Sequence, residues 1–329
     1  MHQGNLFTPV QRLVRLVSRT HVGFEPLCDR LGLTPRKTRA LIGQARREGF
    51  AVDVAGEDVA LRPSLPKADV ATVQMPVQKA GKPHSFVVAS DLHFGSKYHL
   101  RAQLIDHIGT AYEQGVRVCL LPGDLLDGCY RHGRWELTSH GFQDQADDFL
   151  TGLPKHKGLR YVGITGNHDE TFEKESGLIV HHALNDMARA KGRKDFTLLG
   201  ARGAFVCLRA PGERRGLVVD LWHPIRGPAY ALTYGMQKKV EGYAPGKKPN
   251  VLLVGHWHQS AYFNQRGVHA MSCGTFQGGG SSFGKALGGA PSIGGWRIKY
   301  ALTKDGTVRD FTPTWHGYFE TEVPQEVAI

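Results

Sequence analysis

With 329 residues and 41% apolar content, the chain can bury one large core and still carry a small accessory domain. Its five cysteines (Cys28, Cys119, Cys129, Cys207, Cys273) form no CxxC pair and leave one over, which suggests neither a thiolate zinc site nor a disulfide framework and makes a reducing cytoplasm the simplest setting; no apolar leader or span of ~20 apolar residues is present, so a soluble protein without a membrane partner is expected. The formal charge of +11 attracts polyanions, nucleic acid first among them, although surplus Lys and Arg also serve solubility.

In chain order, Val10, Leu13, Val14 and Val17 fall at helical spacing, and Phe24 to Leu31 offers a second short helix. Thr34 at an N-cap and Pro35 in the first turn open a third helix through about Glu48, closed by Gly49. Residues 50–54 and 59–62 alternate apolar and polar side chains around a short turn, as a β-hairpin does. Three helices and a hairpin over residues 1–66 predict a winged helix-turn-helix domain. Its third helix carries Arg36, Lys37, Arg39, Arg46 and Arg47, suited to phosphate contacts, and the segment holds ten Lys and Arg against six Asp and Glu, a local charge of +4. Winged helices also dock proteins or dimerise, and basic helix faces are commonly just solvated, so a docking module or a homodimer contact stays open. Residues 67–83 mix Pro, Gly, Lys and small residues and read as a linker.

Beyond it, five motifs each follow an apolar run that predicts a buried strand. Asp91-Leu-His93 follows 86–90, Gly123-Asp124-Leu-Leu-Asp127 follows 116–121, and Gly166-Asn167-His168-Asp169 follows 159–164. Trp222-His223-Pro224 follows 217–221 and Gly255-His256-Trp-His258 follows 251–254. Layered α/β folds gather their sites at such strand ends. Hard carboxylate oxygens mixed with imidazole nitrogens suit divalent metals for phosphoryl chemistry, and two ions ~3.5–4 Å apart need a bridging ligand, for which Asp124 is the choice.

The five motifs in this order resemble the calcineurin-like metallophosphoesterase superfamily across nearly all of 91–258. The resemblance implies a four-layer α/β/β/α sandwich over 84–329. Carried over by motif, it implies that Asp91, His93 and His258 bind one metal, that Asn167, His223 and His256 bind a second, and that Asp124 spans both. A metal-bridging water or hydroxide would be the nucleophile. His168 would face the scissile phosphate as proton donor or charge stabiliser, with Asp127 as the carboxylate that hydrogen-bonds its imidazole. The plainer reading of Asp127 is a loop cap, and Asp169 would support the ligands from behind or cap a helix. The other twelve histidines are assigned to no metal. Mn²⁺ is the expected ion, with Fe²⁺, Zn²⁺ or Mg²⁺ compatible with the same donors.

Serine/threonine phosphatases of the superfamily carry Arg where this chain has Gly128, and usually GNHE where it has GNHD. The GDLLD, GNHD and GHWHQ forms look closer to the double-strand-break-repair nuclease branch, which predicts a DNA nuclease. The alternatives are a phosphomonoesterase or small-molecule phosphodiesterase with the winged helix as docking module, and a DNA-binding regulator with a vestigial site. Two further segments are of mixed reading. Trp222 to Lys239 interleaves aromatic and basic residues, which suits base stacking, yet Tyr230 and Tyr234 are spaced for packing a helix on the core. Gly278 to Gly295 holds eight glycines without P-loop spacing and reads as a flexible loop or a substrate strap.

Overall fold

A computed structural model of the chain describes residues 7–18, 22–48, 50, 52–55, 57–61, 70–76, 83–130, 134–213, 215–227, 231–244, 248–281, 285, 290–303 and 306–319, with backbone only at 53, 55, 60 and 61. The chain divides into two compact units, residues 1–68 and 69–329.

In the first unit, α1 (Pro9–Val17) starts at Thr8, whose hydroxyl accepts from the Gln11 N–H while the Gln11 side chain accepts from the Thr8 N–H, a reciprocal cap. A two-residue strand β1 (Val22–Gly23) leads into α2 (Phe24–Leu31), which stops at Gly32 with φ 64°. The third helix, α3 (Pro35–Arg47), is capped by Thr34. Strands β2 (Val52–Ala55) and β3 (Asp58–Leu61) form an antiparallel hairpin, and β1 pairs with β3. Leu13, Leu27, Leu41, Ile42 and Val59 form its core. Helix α3 turns Thr38, Leu41, Ile42 and Ala45 inward and leaves Arg36, Lys37, Arg39, Arg46 and Arg47 exposed. Arg46 Nε donates to the Val52 carbonyl at 2.8 Å, and the Arg39 guanidinium lies over the Phe24 ring.

The linker expectation for 67–83 is corrected over part of its length. Residues Val70–Gln74 form a strand, β4, that pairs in parallel with β9 (Gly203–Arg209). Its Val73, with Met75 just beyond, is buried between sheets, so a short alternation that reads as low complexity is in fact half of an edge pairing. Residues 67–69 and 77–82 lie outside the described residues.

The second unit is built on two six-stranded mixed sheets. One has β5 (His84–Val88), β6 (Val118–Pro122), β7 (Arg160–Thr165) and β8 (Phe196–Ala201) in parallel, with β14 (Gly294–Leu302) antiparallel to β5 and β15 (Val308–Gly317) antiparallel to β14. The other runs β12 (Ser260–Gln265), β13 (Val268–Cys273), β11 (Val251–Val254), β10 (Leu217–Trp222), β9 and β4.

Alternation along the strands decides the layering. Phe86, Val88, Val118 and Leu120 meet Val206, Val219, Leu221 and Leu253 between the sheets. Their neighbours Val87, Cys119 and Leu121 point the other way, under α4 (Arg101–Glu113), α5 (Phe142–Gly152) and α7 (Val180–Ala190), where Leu104, Phe149 and Leu184 are buried. On the far side, Met236 and Val240 of α8 (Tyr234–Glu241) cover Leu252, Val254 and Ala270. Helices therefore flank a sheet pair on both sides, an α/β/β/α order. Among the described residues no helix is long and apolar enough to cross a membrane.

Candidate metal centre

Each motif sits just past the carboxyl end of a strand: Asp91 after β5, Asp124 after β6, Asn167 after β7, His223 after β10 and His256 after β11. The backbone there is unusual. Seven described non-glycine residues have positive φ, and five of them are Asp91 (53°), His93 (52°), Asp124 (49°), His256 (80°) and His258 (54°). A side chain in this region carries a steric cost, so strain is concentrated on the candidate ligands and held by the surrounding structure. Crowding removes the alternatives. A Cβ on Gly166 would stand 2.6 Å from the Asp124 nitrogen and 2.7 Å from His223 Cε1, and one on Gly255 would stand 2.5 Å from the Pro122 carbonyl and 2.7 Å from Ser90 Oγ.

The side chains converge in overlapping groups. Donor atoms of Asp91, His93 and His258 lie within 4.8 Å of one another, as do those of Asp124, His223 and His256, and those of His93, Asp124 and His168. Asp91 accepts from the His256 N–H (2.9 and 3.1 Å) and from Ser90 Oγ (2.6 Å), and its Oδ1 is 3.4 Å from His258 Nε2. Asp124 Oδ1 accepts the His168 N–H at 2.8 Å. Its Oδ2 is buried and makes no hydrogen bond, though His223 Nε2 is 3.2 Å away.

These donors fit a divalent cation. His223 Nδ1 donates to the Pro122 carbonyl at 2.8 Å, which directs the Nε2 lone pair of the neutral ring at Asn167 Oδ1 (3.0 Å) and Asp124 Oδ2. Asn167 is oriented the same way, because its Nδ2 donates to Tyr130 OH at 3.3 Å and leaves Oδ1 facing the centre. Likewise His93 Nδ1 donates to Asp127 Oδ1 at 2.9 Å, and its Nε2 faces His258 Nε2 at 3.1 Å. Lone pairs pointed at lone pairs are unfavourable unless a proton or metal sits among them.

The electrostatics agree. Burial pulls His223 down, but the Asp124 and Asp91 carboxylates hold it up at about 9, so in the absence of another cation a proton occupies that place. Burial, with the neighbouring His223, pushes His256 down to about 4, and burial with His168 lowers His93, which keeps both rings neutral as ligands must be. Asp124 is held well below the usual carboxylate range against its burial by His223 and His168.

One expected contact is different. The Asp127 carboxylate does not hydrogen-bond His168: its Oδ1 is 3.8 Å from His168 Nδ1, and that nitrogen donates instead to the Asp127 backbone carbonyl at 2.7 Å. The carboxylate is turned to His93, the buried ring with a free Nδ1 proton to give, and it also accepts from Gln277 Nε2 at 3.1 Å. Asp169 does not cap a helix through its side chain. Fully buried, it accepts the N–H groups of Leu125 (3.2 Å), Leu126 (2.8 Å) and Gly166 (2.7 Å), tying the loop of Asp124 to the loop of Asn167. Burial and the nearby Asp124 raise it.

Sequence reasoning missed Gln277, Tyr130 and Arg202. The Tyr130 ring stands edge-on to His168 at 4.6 Å. Arg202, at φ 58°, pairs bidentately with Glu170, and its carbonyl accepts the His223 N–H at 2.8 Å. No spacing rule links these residues to the motifs.

The five basic residues of α3 belong to the first unit. Tyr234 is half exposed beneath Lys238 rather than packed on the core, and Tyr230 lies outside the described residues. Of the glycine-rich stretch, residues 278–281 continue the site loop, with Gly278 N–H donating to Tyr98 C=O, and Gly294–Gly295 begin β14; residues 282–284 and 286–289 lie outside the described residues.

Residues 84–260 match the calcineurin-like phosphoesterase family. No curated protein matches. Among solved structures, a novel archaeal phosphodiesterase aligns at 13% identity over 70% of this chain and 99% of its own, with a TM-score of 0.37. A single mutant of Vps29 from Entamoeba histolytica aligns at 14% identity over 70% and 99%, TM-score 0.37. Vacuolar protein sorting 29 from Cryptosporidium parvum aligns at 13% over 72% and 100%, TM-score 0.35. Likeness at this level says nothing about substrate.

Proposed function

The chain belongs to the calcineurin-like phosphoesterase family, a family that binds two divalent metals, and from that premise we propose that it is a metal-dependent phosphodiesterase that cleaves DNA. The observation that carries the phosphoesterase reading is the meeting of two donor groups at Asp124, whose buried Oδ2 makes no hydrogen bond. Asp91, His93 and His258 would hold one ion, Asn167, His223 and His256 the other, and Asp124 both. When bound, such a pair supplies an activated water and positive charge for the phosphate oxygens.

The chain's own groups do the rest. The Pro122 carbonyl and the Asp127 carboxylate fix the tautomers of His223 and His93, so that their Nε2 atoms face the centre. His168 is not needed as a ligand. With Nδ1–H donated to the Asp127 carbonyl, Nε2 of the imidazolium form is the atom that gives a proton to the leaving oxygen. The half-buried position of His168, beside fully buried His93, suits a group that must meet substrate.

DNA as substrate is supported by the net charge of +11 and by the five exposed basic residues of α3. The order of elements in the first unit supports reading it as a winged helix, with α3 contacting phosphates. Mn²⁺ suits the mixed imidazole and carboxylate donors. The deciding experiment is Mn²⁺-dependent hydrolysis of end-labelled single- and double-stranded DNA beside p-nitrophenyl phosphate, with Asp124→Ala as control. Cleavage abolished by the substitution is expected; intact DNA with brisk monoester turnover would make this a phosphomonoesterase.

A further inference from the structure

A cavity of about 910 Å³ opens in the second unit at the amino ends of β7 and β8, with β4 also lining it. Asn167 follows the opposite end of β7, so the cavity lies one strand length, roughly 20 Å, from the metal centre. Four cations line it: Lys155, Lys157, Arg160 and Lys194. Among the described residues none of the four has an ion-pair partner. Asp195, the carboxylate in the lining, is already held by Arg193, whose Nε and Nη2 approach it to 3.0 and 2.9 Å.

Four exposed cations around one concavity make its potential positive, and the low-dielectric wall focuses their field outward. Solubility would be served as well by dispersing them. The turn that carries Lys155 and Lys157 is also held in place. Tyr112 OH donates to the Lys157 carbonyl at 3.1 Å, its ring stacks on His156 (4.4 Å, 15°), and the Arg117 guanidinium lies 3.9 Å from its centroid. His156 is half-buried and lines the cavity, so it presents an imidazole to the same space as the cations. Val73, Leu159, Val162 and Leu199 supply an apolar floor.

We propose that this cavity binds a nucleoside di- or triphosphate, at a site separate from the metal centre. The cations match the several negative charges of the phosphates, while the apolar floor and the His156 ring receive the base. The volume is in the range of about 300–1,000 Å³ usual for small-molecule sites. The proposal is independent of the nuclease reading, because binding here involves no hydrolysis and none of the candidate metal ligands.

The test is calorimetric titration of the full chain with ADP in EDTA, which removes metal-dependent binding at the catalytic centre. Three variants are compared: Asp124→Asn, the charge reversal Lys155→Glu/Lys194→Glu, and the milder Lys155→Ala/Lys194→Ala. Both lysines are exposed, so folding should survive, as near-UV circular dichroism would verify. Saturable one-site binding is expected, unchanged in Asp124→Asn, weakened in the alanine pair, and weakened at least ~10-fold by charge reversal. Absence of saturable heat, undiminished affinity in the reversed pair, or loss of binding in Asp124→Asn would each overturn the site. Pyrophosphate binding as tightly as ADP would overturn the nucleoside assignment.

Discussion

The Asp127 carboxylate serves His93 rather than His168: Oδ1 is 2.9 Å from His93 Nδ1 and 3.8 Å from His168 Nδ1. A carboxylate behind a ligating imidazole fixes its orientation and raises its basicity, so its loss acts first on the metal. Asp127→Asn should therefore weaken metal binding by ~10- to 100-fold and restore most turnover at saturating Mn²⁺. Metal titration followed by activity alone separates the cases. Unchanged metal affinity with a turnover deficit that excess metal does not repair would return Asp127 to His168.

His168 makes the opposite prediction. Its backbone N–H holds Asp124 Oδ1 and survives substitution by alanine, while its side chain is only half-buried. His168→Ala should keep two ions per chain and lower turnover by ~10²- to 10⁴-fold, the usual loss of a general acid. Elemental analysis beside steady-state rates checks both halves. Loss of bound metal would make His168 a ligand, as its closeness to His93 and Asp124 would allow.

The basic helix α3 offers a third test, and the structure selects which residues to change. Arg39 lies over Phe24 and Arg46 donates to the Val52 carbonyl, so replacing either would mix stability with binding. Arg36 and Lys37 are exposed. The pair Arg36→Ala/Lys37→Ala should weaken DNA binding without changing stability and flatten the slope of log K against log salt by about 0.9 per lost phosphate contact. Anisotropy titrations across a salt series measure the slope. An unchanged slope would leave the first unit a docking module.

How much of this was legible beforehand follows from how local each signal is. Asp91, Asp124, Asn167, His223 and His256 each come directly after an apolar strand, so the order of motifs along the chain already implies a common edge in space. Gln277 carries no such signal, for it meets Asp127 across 150 positions and belongs to no repeat or motif. The positive φ of Asp91, His93 and Asp124 is equally silent, because glycine is the residue that announces that conformation. Val70–Gln74 was hidden by its surroundings: five residues flanked by Lys, Ala and Pro become a strand only through β9, more than a hundred positions away. The spacing of Asp127 puts it beside the correct loop but does not choose between His93 and His168, because that choice depends on distances that no spacing encodes.

Stability should depend on pH through buried histidines that are not candidate metal ligands. His107 on α4 is buried; its Nε2 donates to the Val88 carbonyl at 3.0 Å, and burial pushes it down to about 4 from an ordinary 6.5. His99 is lowered to about 4 as well, chiefly by burial. Between those values the unfolded chain binds a proton at each position that the native chain does not. Stability is therefore complete above pH ~6.5, falls as pH drops towards 4 and levels off below, with at most about 3 kcal/mol attributable to His107. His107→Gln keeps an amide donor for Val88 and removes that share. All five tryptophans lie beyond residue 134, so their fluorescence reports unfolding of the second unit alone. Urea midpoints between pH 4.5 and 7.5 should fall less steeply towards acid in the variant than in the native chain. Parallel slopes would mean that His107 is already protonated in the native state.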